Sequence, residues 1–243
     1  RLIKNIDCLL NTTEYKYNSR NNSPYKKDRM GNISHQEFDG LGRITRYVHE
    51  MPDGANDIQA TYNFDKNGRL MDFMDNNGNI TRYQYNATNQ RIKMILPDNS
   101  SRVYSYNQYG MPQRTIDNNG SIIDYTYYNV LRLARNDIKR APGIEGVTYE
   151  AFEYDGYFRV TLAQNDFSTA WMQYDSLCNL LMQTQQIGTQ SAKSVQSVYD
   201  NMSFRTALTY PNGRQINYTP DALNRITQIT QSPNDPIAQY SYI

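Results

Sequence analysis

Apolar and polar positions alternate along the chain in short runs of about six residues, and each run stops at a cluster of Asp, Asn and Gly. Tyr83 and Tyr85 fall on one face with Arg82 and Gln84 opposite, and Tyr104 and Tyr106 share a face with Val103 and Ser105 opposite. A two-residue period puts alternate side chains on opposite sides of a β-strand, whereas a helix needs a 3.6-residue apolar stripe, which is missing. The pattern predicts strands at 69–75, 91–96, 159–165 and 225–231, with return strands at 80–85, 102–106, 121–128, 169–174 and 214–218. A strand of this length spans roughly 20 Å. The second face is often polar, as at Asp124 and Thr126 or Asn217 and Thr219, so it offers no clean apolar surface for a sandwich. The expected fold class is all-β: an antiparallel meander of stacked hairpins in a broad, curved, single-layer sheet, wet on at least one side. Cross-strand aromatic and β-branched pairs would hold it, at about 0.2–1 kcal/mol each.

The hairpins repeat. The pair Tyr83 and Tyr85 returns as Tyr104 and Tyr106, then as Tyr125 and Tyr127, 21 positions on each time. An aromatic followed by Asp or Asn runs from end to end: Tyr17-Asn18, Phe38-Asp39, Phe64-Asp65, Tyr85-Asn86, Tyr106-Asn107, Tyr128-Asn129, Tyr154-Asp155, Tyr174-Asp175 and Tyr199-Asp200. It fades at Pro220-Asp221 and Tyr242-Ile243. A fixed period of this length marks an array of small supersecondary units. Behind each dipeptide comes a turn, such as Asp39 to Gly42-Arg43, Asp65 to Gly68-Arg69, Asn107 to Gly110, Asp155 to Arg159 and Asp221 to Arg225. Asp or Asn at the first position bonds the backbone two residues on, and Gly or Asn three residues later accepts positive φ. A second turn follows about ten residues later, at Asp75–Gly78, Pro97–Ser100, Asp117–Gly120 or Pro211–Gly213. The longer spacings place extra residues in 51–54, 141–143 and 187–191, which are turn-rich stretches.

The chain therefore reads as one array of about ten units over 1–243, with no separate domain. Arg1–Asn18 aligns with Arg69–Asn86, so the array is expected to be cut within a repeat at both ends, and missing targeting signals carry no weight. With its cut edges exposed, such a slice is expected to be poorly soluble alone.

Composition narrows the classes. Lys and Arg number 25 against 24 Asp and Glu, a net charge of +1, so no electrostatic case for nucleic acid or an anionic membrane arises. The apolar share of 38% is low for a thick core, yet 22 tyrosines are too many for disorder. No apolar run approaches the ~18 residues of a membrane span. Cys8 and Cys178 form no metal or redox spacing and are expected to be buried or half-buried.

The motif Tyr-x-Tyr-Asp/Asn-x-x-Gly-Arg-Leu/Ile, clearest at Phe64-Asp65-Lys-Asn-Gly68-Arg69-Leu70 and Phe38-Asp39-Gly-Leu-Gly42-Arg43-Ile44, resembles the YD repeat, also called the Rhs repeat. The resemblance covers essentially the whole chain. From 129 onward the glycine is replaced, at Phe158, Cys178, Ser203 and Asn224. The repeat residues carried by the resemblance are Tyr17, Asn18, Phe38, Asp39, Gly42, Arg43, Phe64, Asp65, Gly68, Arg69, Tyr83, Tyr85, Asn86, Arg91, Tyr104, Tyr106, Asn107 and Gly110. They continue as Tyr125, Tyr127, Tyr154, Asp155, Arg159, Tyr174, Asp175, Tyr199, Asp200, Asp221 and Arg225. In that family the repeats wind into a hollow β-shell. The resemblance implies a shell segment like those of bacterial Rhs polymorphic toxins and the B and C components of Tc toxin complexes, secreted or at a cell surface. Its implied partners are the rest of the shell, in the same or a second chain, and an enclosed C-terminal toxic domain. The family's self-cleaving sequence is not found, since Asp235-Pro236 runs on into Ile237-Ala238.

Candidate chemistry adds little. The only histidines are His35 and His49, and His49-Glu50 is expected in a surface loop. The recurring Asp alternates in phase with Asn, which caps a turn but is no general acid or base, so no catalytic residue, metal or cofactor is expected. Trp171 occupies a strand position and is expected to be packed. The sequence points to a structural, non-catalytic wall that encloses a toxic cargo. The alternative is a cell-surface adhesion or carbohydrate-binding array with a glycan or receptor as partner. A propeller built on the doubled period of about 42 is disfavoured by the unequal spacings.

Overall fold

A computed structural model describes residues 1–20, 22–50, 58–129, 132–231 and 235–242, excluding the side chain of Ile58. It contains 22 β-strands and, among the described residues, no helix. The chain divides into two compact units, Arg1–Ser105 with Thr115–Asn119, and Tyr106–Arg114 with Gly120–Ile243.

In the first unit every strand from Lys4–Ile6 to Ser101–Tyr106 pairs antiparallel with its successor. In the second the same holds from Ile122–Asn129 to Asp235–Gln239. This is the expected meander. Strand limits fall within about two residues of the sequence reading: 80–85 is Ile80–Tyr85, and 225–231 is Ile226–Gln231.

Neither unit has a conventional core. Ala207 and Ile216 are the buried apolar residues among those described, and no large side chain is fully enclosed. Ile226–Gln231 and Val160–Asn165 are half-covered at every position, on both faces. A sheet covered by a second layer would bury one face and leave the other wet. Here both faces are wet, so stability comes from the backbone ladder and from cross-strand neighbours such as Tyr62 and Phe73, whose rings lie 5.4 Å apart in register.

The expected insertions at 141–143 and 187–191 lie in the turns after Arg132–Lys139 and Leu180–Ile187, at the edge away from the Tyr-Asp turns. The stretch 51–54 lies outside the described residues.

Three expectations are corrected. Cys8 and Cys178 are exposed, because both stand inside tight turns beyond the strand ends, where Cys178 meets only the Arg159 side chain from outside its own turn. His49 lies not in a loop but in the strand Ile44–Glu50, with Nδ1 2.9 Å from the Ser34 hydroxyl across the ladder. In the unit around residue 128 the hydroxyl that reaches back to the preceding strand is that of Tyr127; Tyr128 is 61% exposed, because irregular pairing on both sides of Tyr127 shifts the alternation.

Candidate functional site

The repeating unit of structure is the turn after each aromatic. At Asp65 the backbone closes twice: the Gly68 amide donates to the Asp65 carbonyl at 3.0 Å, and the Asp65 amide to the Arg69 carbonyl at 2.9 Å. The carboxylate closes it again. Its Oδ1 accepts from the amides of Asn67 and Arg69, both at 2.9 Å, and its Oδ2 from Arg69 Nε at 2.6 Å. Gly68 takes φ of +84°, the left-handed conformation that a type I turn with a following bulge requires.

The same geometry is built at Asp39 with Arg43, Asp155 with Arg159 and Asp221 with Arg225. Asn18, Asn86 and Asn107 close the backbone in the same way through their side-chain oxygens, Asn107 accepting from the Tyr109 and Met111 amides. Asp200 caps Met202 and Phe204, and Gly42 and Gly110 hold the positive φ. Asp39, Asp65 and Asp221 are held below the ordinary carboxylate value, chiefly by the amide four residues on, with the arginine adding to it. At Asp175 the main cause is the Asn179 side chain.

The turns at Asp65 and Asp155 are tied to the next turn by their arginines. Arg69 Nη1 donates to the Asn86 carbonyl at 3.0 Å in the following turn, and its guanidinium lies 5.0 Å from the Tyr85 ring. The Tyr85 hydroxyl returns the contact by donating to the Leu70 carbonyl at 2.9 Å, and burial pushes that hydroxyl's pKa up. Arg159, Tyr174 and Val160 repeat the arrangement, with Arg159 Nη1 on the Asp175 carbonyl at 2.7 Å. Tyr17 on Leu2 and Tyr127 on Pro112 repeat the hydroxyl contact. Arg43 stacks on Phe64, which has no hydroxyl to give. Arg91 lies between Tyr83 and Tyr104, at 5.7 and 5.0 Å.

Of the remaining repeat residues, Tyr106 ends the strand Ser101–Tyr106, Tyr125 stands opposite Asn136, and Phe38 and Tyr199 pair with Ile44 and Arg205. The Tyr154 ring meets Tyr128 edge-on at 6.5 Å.

Two features escape a reading of the sequence. The first is the partner of Asp7, Asp28 and Asp75, the last of these in the expected turn Asp75–Gly78: Asn11, Asn32 and Asn79 stand in place of arginine, and the signal is the Asn four residues on. The second is a register shift beside the anchor aromatic. Gln84 faces Lys93 while Tyr85 faces Arg91, so Ile92 is an extra residue. Met71, Thr161 and Leu181 hold the same position in their units. Such bulges increase local twist.

No group of three or more His, Cys, Asp or Glu is placed to hold a metal among the described residues. The capping aspartates are occupied by amides, asparagine side chains and guanidinium groups, so the turn arrangement holds strands together.

A family model described as RHS Repeat matches residues 64–101, the stretch that contains the best-formed clasp. The match falls on the motif that carries the resemblance to the YD repeat. A search of curated proteins gives no match. Among solved structures the chain is similar to TcdB2-TccC3 without hypervariable C-terminal region, at 16% identity and a TM-score of 0.57, over 91% of this chain and 16% of that one. It is also similar to the Tc holotoxin pore of Photorhabdus luminescens, at 13% identity and a TM-score of 0.53, over 90% of this chain and 18% of that one. At such identities the likeness establishes the fold, and the chain spans a small part of each relative.

Proposed function

We propose that this chain is a non-catalytic wall segment of a secreted YD-repeat toxin, part of one array whose further windings enclose a toxic C-terminal domain. The observation that carries the reading is the clasp: at Asp65 and Asp155, aspartate, arginine and aromatic are used in joining one hairpin to the next, over a fold shared with TcdB2-TccC3. A wall needs such joints. It must hold together without a core, because one side faces a lumen and the other solvent. Strands with Gln and Thr at half or more of their positions, as in Leu180–Ile187 and Ile226–Gln231, would not retain a cargo that has to leave.

The carbohydrate-binding alternative is weaker. A sugar-stacking ladder would use the recurring ring positions, and guanidinium groups already lie over the rings of Tyr85, Tyr104, Tyr174 and Tyr242, which leaves single exposed rings such as Tyr109 and Tyr128.

The test is limited proteolysis of the parent protein, folded with whatever follows the array. Enclosure predicts that the C-terminal domain resists a protease that cleaves the same domain expressed alone. Equal cleavage rates would refute it, and specific capture on a glycan array would favour the adhesion reading.

A further inference from the structure

The second unit carries a cleft of about 770 Å³ at the edge away from the Tyr-Asp turns, between the loop that follows Leu180–Ile187 and the turn from Tyr210 to Arg214. Its floor is polar: Ser194 and Gln196 come from one strand and Thr209 from the next, with Gln196 and Thr209 in register. The buried apolar residues Ala207 and Ile216 lie in the strand that carries Thr209 and in the one after it, so the cleft stands on the best-packed part of the sheet. Lys193 and Arg214 line it, and among the described residues no acid does. Comparable turns elsewhere in the chain carry a carboxylate, at Asp75, Asp98 and Asp117, whereas this one begins on Tyr210 and ends on Arg214. From Arg43 onward every guanidinium among the described residues is paired with a carboxylate or laid over a ring, except those of Arg140 and Arg214. Two cations without counterions therefore face one cleft. One strand lies between them, which sets their backbones roughly 10 Å apart.

We propose that this cleft binds a small organic phosphate, a phosphomonoester carried on a ring, with the phosphate held between Lys193 and Arg214. Two long cationic side chains can close on one phosphate across that gap, arginine through its planar fork and lysine as a point charge. The Asn212 side-chain oxygen is taken by the Arg214 amide at 3.0 Å, which leaves its NH2 to donate to a phosphate oxygen. The cleft is far larger than a phosphate needs and has the size of a site for a small organic molecule. The Tyr210 ring lines the same cleft and is 41% exposed, so it offers a face on which the ring of the ester can stack. The turn itself does not require that ring, since Asp75 begins an equivalent turn. Binding of this kind does not depend on enclosure of a cargo.

The experiment titrates the full chain with AMP, glucose 6-phosphate and inorganic phosphate by calorimetry. At least one of the two esters is expected to bind ~10-fold more tightly than inorganic phosphate, and which of them does so separates a nucleotide from a phosphorylated sugar. Arg214→Gln and Lys193→Gln should each weaken that ester ~10-fold or more with circular dichroism unchanged. Tyr210→Ala should bring it down to the level of inorganic phosphate. Arg140→Gln, which removes a cation outside the cleft, should leave binding as it was. Neither ester binding at ~10 mM, equal losses in Arg140→Gln and Arg214→Gln, or inorganic phosphate binding as tightly as both esters would each overturn the proposal. Should Arg214→Gln fail to fold, Lys193→Gln decides alone.

Discussion

The Tyr85 hydroxyl donates to the Leu70 carbonyl at 2.9 Å, joining the end of the strand Ile80–Tyr85 to the beginning of the preceding strand, Leu70–Met74. The two residues are 15 positions apart, and the same reach recurs from Tyr127 to Pro112. Tyr85→Phe keeps the ring beneath Arg69 and removes the hydroxyl, so it is expected to cost about 0.5–1.5 kcal/mol. The reverse change tests the same idea, because Phe64 lies under Arg43 with no hydroxyl. Phe64→Tyr should gain a bond to the Ile44 carbonyl and raise the urea midpoint. If both changes leave the midpoint where it was, the hydroxyl is incidental to the clasp.

Cys178 and Ser203 occupy the left-handed turn position with φ of +69° and +61°, where neighbouring repeats use glycine. A side chain there costs about 1–2 kcal/mol, and glycine gives back part of that gain as unfolded-state entropy, about 0.5–1 kcal/mol. Cys178→Gly and Ser203→Gly are therefore expected to stabilise by about 0.5–1 kcal/mol each. Phe158→Gly should gain less, since Phe158 at +68° carries the Arg132 guanidinium 4.0 Å from its ring. In the other direction Gly68→Ala should destabilise, because the new methyl would also stand 3.3 Å from Arg43 Nη1. Thermal melts of the four variants decide the order.

Much of this turn chemistry is legible in the residues themselves. The Tyr-Asp period marks the hairpins, and Asp at the first position with Gly at the fourth marks the cap. The reach of Arg69 into the Asn86 turn is not legible, since the motif shows an arginine without its target. The bulge beside Tyr85 leaves no signal either. Its extra residue is Ile92, and in other units Met71, Thr161 or Leu181, so no single side chain marks the place. The exposure of Cys178 runs against the usual preference of thiols for the interior, because a sheet with two wet faces has little interior to offer.

The capping aspartates set the acid response. Asp39, Asp65 and Asp221 have folded pKa values below the ordinary 3.8, first through the amide four residues on. A depressed carboxylate gives stability that is complete above its unfolded value and lost as pH falls through it toward the folded one. The urea midpoint should therefore hold from neutral pH to about pH 5 and fall as the pH drops below about 4. Asp65→Asn keeps the capping oxygen but removes the charge, and should flatten part of that slope while lowering stability at neutral pH. A slope unchanged in this variant would place the acid sensitivity elsewhere.

The two edges of the second unit should answer insertion differently. At the Tyr-Asp edge the turn is closed by backbone, carboxylate and guanidinium together, and Arg159 then holds the Asp175 carbonyl of the next turn. An added residue between Asp155 and Arg159 breaks the cap and the link beyond it. At the other edge the segment after Arg132–Lys139 has already accommodated extra residues, with Gly143 at positive φ and open space around it. Loop-closure entropy grows slowly, about 0.6 kcal/mol for each doubling of length. Four glycine and serine residues inserted after Gly143 should therefore shift the melting temperature by only a few degrees. The same insertion after Gly156 should remove at least two clasps, with increased hydrogen exchange in Tyr149–Tyr154 and Ser168–Tyr174. Equal losses at the two sites would mean that the clasp does not carry the load assigned to it.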